Sequence, residues 1–412
     1  MKIGLLAYHS AINFGATLQL LSTYSYLLNH NHQPVIINWI AADLEEYYIQ
    51  HTSPCQIDRY KRLRGTIWKE TALCRTVHDV AQVIKDDDIE AVIIGSDAVC
   101  QHHTIMERLV FPCRRIIGIE PVTSDRLFPN PFWATWNDLL SIPIPVAILS
   151  ASNQDSRYRY FSRSLCKSMT RQIKSYSYIS VRDTWTRDMF AYVTGNIVIP
   201  EVTPDPVFAF SHNAKKLIPS REEIADRFNL PEKYLLFSFC NNKTVNQFWI
   251  DEFQAIAECN GYTCVKLPFS DKKGFGTFQK EIHLPLSPLE WFALIKYSSG
   301  YIGHNMHPIV VAIHTGTPFF SFDNYGLKKL NGLVTSDKSS KIRHLLETAG
   351  LADCRISCIS KKFRSPSALE IYGRLKSFNT STSKAFADKY YKKYLSTMNT
   401  ITTTLTNNLH NK

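Results

Sequence analysis

A short loop, Tyr8-His9-Ser10-Ala11-Ile12-Asn13-Phe14-Gly15-Ala16, joins an apolar run to a segment with helical spacing. Unpaired backbone N–H groups at such a helix start favour an anion, either phosphate or carboxylate. The same residues also suit a tight turn that needs Gly15 for backbone freedom; neither G-x-G-x-x-G nor the Walker pattern is present. A second segment, Gly300 through Val310, delivers His304, Asn305 and His307 to the start of another helix, with Pro308 fitted to its first turn. Beside a positive helix end, His307 would hold a proton less readily, which suits proton transfer near neutral pH. A histidine satisfied by a backbone carbonyl fits the same pattern. So does a metal ligand with His304 and His314, although no acidic or Cys partner has ligand spacing and no metal is expected.

Two further segments carry charge at places where a fold would use it. Ile179-Ser180-Val181-Arg182-Asp183 ends a strand in an Arg suited to bidentate anion binding, or to an ordinary Arg–Asp surface pair. Asp205 lies between Pro204 and Pro206, whose fixed φ would hold its carboxylate toward a cleft, unless the Asp only forms a turn. Ile93-Ile94-Gly95-Ser96-Asp97 places Ser96 and Asp97 at a cleft edge or in a helix cap. The basic run from Arg59 to Lys69 reads as a solvated face more readily than as a contact for nucleic acid or lipid.

The elements that must position these residues alternate. Apolar Ile3 to Ala7, a helical face of Leu18, Leu21, Tyr24 and Leu28, then Val35 to Ile40, open a doubly wound α/β domain. Ala91 to Ile94, Val146 to Leu149 and Tyr178 to Val181 continue it as strands of a mostly parallel sheet. Pro204, Pro206 and the polar stretch Ser211 to Lys216 form the linker. The pattern then restarts with Tyr234 to Phe239. Ser287-Pro288-Leu289-Glu290 carries a capping-box signature that predicts a helix from Pro288 to about Tyr297. The expected division is residues 1–208, 209–345, and a helical tail over 346–412 with a frayed end.

Composition bounds the rest. At 412 residues, two domains are expected. With 47 Lys and Arg against 36 Asp and Glu, the formal charge of +11 attracts anions without choosing among them. No compact basic motif points to nucleic acid. Ten scattered cysteines without C-x-x-C read as reduced thiols, and no apolar run reaches the roughly 18 residues of a spanning helix. The expectation is a cytoplasmic chain, its charge compatible with peripheral contact at an anionic inner-membrane surface.

Four of these segments, in order, resemble blocks of the polysaccharide pyruvyl transferase family: KIGLLAYHSAINFGATLQL, IIGSDAVCQ, Ser180-Val181-Arg182-Asp183 with Asp205-Pro206, and Ile302 through His307 to Gly316-Thr317-Pro318 with Tyr325 and Lys328. The resemblance implies a GT-B-like fold, two Rossmann-like domains facing across a cleft, with a C-terminal helix crossing back. It also implies phosphoenolpyruvate as co-substrate, no cofactor, and a sugar or lipid-linked oligosaccharide acceptor of a capsule, exopolysaccharide or lipopolysaccharide that becomes a pyruvate ketal. By matching position, His307 is the implied general acid or base and Asp205 its acidic partner. Asn13, Gly15, Ala16, Arg182, His304, Asn305 and Lys328 are the implied donor contacts. Many members have Arg two residues before the matching His, where Asn305 stands, so one anion contact must come from elsewhere. A nucleotide-sugar glycosyltransferase, or an inactive scaffold subunit of polysaccharide assembly, would be built on the same fold.

Overall fold

The computed structural model describes residues 1–113, 116–271, 273–329 and 334–410. Two six-stranded parallel sheets carry the chain. The first contains β1 (Lys2–Leu6), β2 (Gln33–Ile36), β3 (Ala91–Asp97), β4 (Val146–Ala151), β5 (Tyr178–Val181) and β6 (Glu201–Val202), in the order β2-β1-β3-β4-β5-β6. Helix α1 (Phe14–Asn29) follows β1, and α2 (Thr184–Thr194) follows β5. The strands of this sheet are apolar on both faces: Ala91 to Ile94 and Val146 to Leu149 are fully buried, as expected where helices cover a parallel sheet on each side.

The second sheet is built from β7 (Tyr234–Ser238), β8 (Thr263–Lys266), β9 (Lys280–Glu281), β10 (Gly300–Gly303), β11 (Phe319–Asp323) and β12 (Arg355–Ser357), in the order β9-β8-β7-β10-β11-β12. Counted within the domain, this is the dinucleotide-fold order 3-2-1-4-5-6. Its helices include α3 (Gln247–Cys259), α4 (Pro288–Tyr297), α5 (Met306–Thr315), α6 (Lys341–Ala349) and α7 (Ala368–Lys376). The capping box at α4 forms as its signature predicts: Ser287 accepts from the Glu290 amide at 3.2 Å, and the Glu290 carboxylate accepts from the Ser287 amide at 2.8 Å. The second domain runs on past residue 345, because β12 is the edge strand of its sheet and α7 packs against α3. Three residues, Arg-Ile-Ser, carry too little periodicity to announce a strand.

The two sheets share a core. A single apolar cluster includes Leu18 and Leu21 of α1, Phe208 and Phe210, Trp291 and Phe292 of α4, and Ile309 of α5. Polar ties cross the same boundary. Gln56 exchanges two 2.8 Å hydrogen bonds with the backbone of Leu286, and Arg59 reaches Glu290 at 2.7 Å. Arg59 and Arg64, from the run read as a solvated face, are thus engaged in ion pairs, Arg64 with Glu70.

The last helix, α8 (Thr380–His410), crosses from the second domain back to the first. Ser383 donates to the Ile313 carbonyl in α5, while Tyr394 meets Tyr26 of α1 edge-on and Lys393 bonds the Val202 carbonyl in β6 at 2.7 Å. The end expected to fray is helical to His410, because Met398, Ile401 and Leu405 are buried and each contributes on the order of 1.5–3 kcal/mol. Of the cysteines, nine are free, and the Cys113 side chain lies outside the described ones. Among the described residues, no helix is long and apolar enough to cross a membrane.

Candidate active site

In both sheets the strand order reverses beside the first strand of the domain, and the loops that leave the carboxyl ends there diverge to open a crevice. The loops after β1 and β3 of the first domain face those after β7 and β10 of the second. Between them lies a cavity of about 390 Å³ whose wall includes Asn13 to Ala16, Asp97, Asn305 to Pro308, Tyr325 and Lys341.

Asn13 caps α1, its side-chain oxygen accepting from the Ala16 amide at 3.1 Å. With the Asn13 amide on the Ala11 carbonyl, the Phe14 and Gly15 amides are left for a ligand. Across the cavity, α5 begins at Met306 under Asn305, which makes no side-chain cap bond. The positive ends of α1 and α5 therefore meet at one point. His307, in the first turn of α5, packs directly on Gly15: a Cβ there would stand 2.0 Å from the ring Cγ. The need for glycine at this position is close approach, and the helix backbone demands no unusual φ.

The ring of His307 is half-buried, and its Nε2 is shielded from water with no partner among the described residues. Burial lowers its proton affinity most; Asp97 and Asp205 pull it back up, while Arg182 and Lys341 push it further down. The net direction is downward, so the imidazole is neutral at pH 7 and able to accept a proton. The expected direction holds, with burial as its largest cause.

Beneath this surface Arg182 is buried between two carboxylates. It donates to Asp205 at 2.8 Å and to Asp97 at 2.9 Å. Burial opposes its charge, and Asp97 and then Asp205 more than restore it. Asp97 shows the converse: burial raises its pKa, but Arg182, Lys341 and His307 hold it well below the usual carboxylate range. Asp205 also accepts from Gln19 at 2.6 Å and from the Val207 amide at 3.0 Å. Arg182 and Asp205 lie behind the cavity wall, where they hold Asp97 and tune His307 at one remove.

Three further residues fall elsewhere. His304 is buried off the cavity, its ring bonded to the Cys240 amide at 3.2 Å and to the Thr244 hydroxyl, so it braces the loop after β7. Ser96 is buried within β3. Lys328 is exposed on a hairpin strand, Leu327–Lys329, where its carbonyl accepts from Arg157. Two cations reach the cavity: Arg126, exposed at its rim, and Lys341, the first residue of α6, which is buried and bonded through Nζ to Gln154 at 2.6 Å. Burial, then Arg182, lower its pKa to about 8, with Asp97 opposing. Asp125, Gln101, Gln154, Asp155 and Asp271 also line the cavity and carry no motif in the sequence.

Among the described residues, no cluster of three or more His, Cys, Asp or Glu side chains is arranged to hold a metal ion. What the cavity offers is anion-binding helix ends, one buried ammonium and a neutral histidine, an arrangement suited to binding a small anion and moving a proton beside it.

The architecture matches known structures across nearly its whole length. The UDP-GlcNAc 2-epimerase of Neisseria meningitidis, solved with UDP-GlcNAc, superposes with a TM-score of 0.57 at 11% identity, covering 99% of this chain and 100% of that one. The UDP-GlcNAc 2-epimerase of Methanocaldococcus jannaschii gives 0.51 at 11% identity, covering 94% and 99%. At such identities the likeness establishes the fold, a GT-B arrangement of two Rossmann-like domains with a C-terminal helix. A search of curated proteins finds no match. The family description "Polysaccharide pyruvyl transferase" matches residues 13–325, from the cap of α1 to the tyrosine that lines the cavity beyond β11, and the chain belongs to that family.

Proposed function

We propose that the cavity binds phosphoenolpyruvate and that the chain transfers its pyruvyl group to two hydroxyls of a polysaccharide sugar, forming a cyclic ketal. The observation that carries this reading is the meeting of the α1 and α5 N-termini beside Lys341 and an unprotonated His307. A donor with phosphate and carboxylate groups needs several positive partners, and the site has them. Lys341 stands in for the arginine that many members place two residues before the histidine.

In the reaction, His307 takes the proton of the first sugar hydroxyl as its oxygen attacks C2, and passes that proton to the methylene carbon, which becomes a methyl group. The second hydroxyl attacks C2 as the C2–O bond to phosphate breaks, and its proton leaves with the phosphate. Asp97 and Asp205 favour the transient imidazolium, consistent with their upward pull on His307. No metal or organic cofactor enters these steps.

The test is ligand-induced stabilisation of the purified protein. Phosphoenolpyruvate at about 100 times its dissociation constant should add roughly 2.7 kcal/mol, read as a rise in Tm, with UDP-sugars and inorganic phosphate as comparisons. A rise with UDP-sugars alone would overturn the reading in favour of a nucleotide-sugar glycosyltransferase.

Lys341 supplies a pH signature. Its pKa of about 8 means that the ammonium is lost as pH rises through that value, so donor affinity should fall above it by up to about tenfold per pH unit. Calorimetric titrations from pH 6.5 to 9.5 should show this decline in the wild type, and weak, flatter binding in Lys341→Met.

A further inference from the structure

The cavity has a second end that the donor chemistry does not use. Asp125 lies in the single turn Ser124–Arg126, within the long connection between β3 and β4. The turn is pinned from both sides. The Ser124 amide and hydroxyl bond Asp43 at 2.6 and 2.9 Å, and the Asp125 carbonyl accepts from Asn130 at 2.7 Å.

The Asp125 side chain is 1% exposed yet faces the cavity. One carboxylate oxygen, Oδ2, accepts from the Tyr8 hydroxyl at 2.8 Å. The other, Oδ1, is buried with no partner among the described residues. A buried carboxylate oxygen without a donor is costly, and proteins retain one where a ligand supplies the donor.

The surroundings select what that donor belongs to. Tyr48 and Asp271 line the same end, and Arg126 is exposed at its rim. Asp97 as well as Asp125 opposes ionisation of the Tyr8 phenol, which places Tyr8 between this end and the His307 end. Two carboxylates set against the single exposed guanidinium of Arg126 disfavour a phosphate or carboxylate, while carboxylate and phenol oxygens accept hydroxyl protons and the aromatic rings can cover the apolar face of a sugar ring. The buried ammonium and the helix N-termini thus lie toward His307, while the Asp125 end is dominated by hydroxyl-accepting carboxylates.

We infer that Asp125 Oδ1 receives a hydroxyl of the acceptor, so that a neutral sugar lies against Tyr8 and Tyr48 with its reacting hydroxyls turned toward His307. This rests on the proposed transfer for its direction of use, though the subsite itself is a sugar-binding site in either case. Asp125 binds and orients the acceptor and takes no proton from it.

Saturation-transfer NMR, with no donor present, tests the subsite directly. Methyl glycosides of glucose, galactose and mannose are the probes, with methyl glucuronoside as the anionic comparison. At least one neutral glycoside should receive saturation from the wild type, and the glucuronoside should bind at least tenfold more weakly. Asp125→Asn, which keeps the side-chain shape, should weaken the neutral glycoside at least tenfold while leaving the Tm rise with phosphoenolpyruvate unchanged. Asp125→Ala should abolish glycoside binding. Failure of every neutral glycoside to bind the wild type, unchanged binding in Asp125→Asn, or preference for the glucuronoside would each overturn the inference. Glycoside binding that depends on Asp125 in a protein showing no Tm rise with phosphoenolpyruvate would uphold the subsite and remove the pyruvyl-transfer reading.

Discussion

His307→Ala should lower phosphate release from phosphoenolpyruvate in the presence of an acceptor by on the order of 10²- to 10⁴-fold, the usual worth of a positioned acid–base group. The loss should appear in kcat, with the Tm rise on adding donor retained, because the helix N-termini and Lys341 remain. His307→Gln, closer in volume, separates proton transfer from the packing of the ring on Gly15. If it is as inactive as the alanine variant, the missing function is the imidazole's exchange of a proton. A glutamine variant with near-wild-type kcat would remove His307 from the chemistry. The geometry argues for the first outcome: Nε2 is shielded from solvent and uncommitted, and burial keeps the ring neutral and ready to accept.

Arg182→Met carries the largest expected effect on stability. Removing this guanidinium leaves Asp97 without its 2.9 Å partner and Asp205 with only Gln19 and the Val207 amide, and breaking such a buried pair costs about 3–5 kcal/mol. The pH dependence follows from the direction of the Asp97 shift. In the wild type its carboxyl is held below the unfolded value, so the stability it contributes is present at neutral pH and lost as pH falls through the acid range. Without Arg182 that contribution is absent, and protonation of the orphaned carboxylate relieves the variant. The gap between the two proteins should therefore be widest near pH 7 and narrow toward pH 4. Urea denaturation at both values measures it. Adding Asp97→Asn to the variant should recover part of the loss, as expected of two groups in contact. A variant as stable as wild type at pH 7 would mean that the pair contributes little to folding.

The parts of this molecule that were legible in the sequence are those with strong local physics. The start of α4 could be placed by Ser287 and Glu290 alone, and the two strand-to-helix turns that carry Gly15 and His307 by their apolar runs and helix-start residues, although the packing of His307 on Gly15 was not. Burial partners were not legible. An Arg at the end of β5 looks the same in sequence whether it faces a ligand or two carboxylates, and only the tertiary arrangement puts Asp97 and Asp205 on either side of it. Lys328 and Lys341 were distinguishable in principle. Ser340 precedes an amphipathic run of Ile342, Leu345 and Leu346, which marks a helix start. Lys341 in that first turn opposes the helix dipole, and such a local conflict is itself a sign of function. Asp125 gave no comparable signal, because it lies in the three-residue turn Ser124–Arg126, too short to carry apolar periodicity.

The path of α8 bears on how substrates enter and leave. Its contacts reach both domains, from Ser383 on the Ile313 carbonyl of α5 to Phe386 against Phe208 and Tyr394 against Tyr26, with Leu405 buried near the far end. Swinging the domains apart as a clamshell would strip these contacts from one side, at several kcal/mol for the apolar surface alone. The helix thus acts as a splint. On this basis substrates are expected to exchange through the loops at the rim, with the N-termini of α1 and α5 held at their separation by a helix that lies outside the cavity lining.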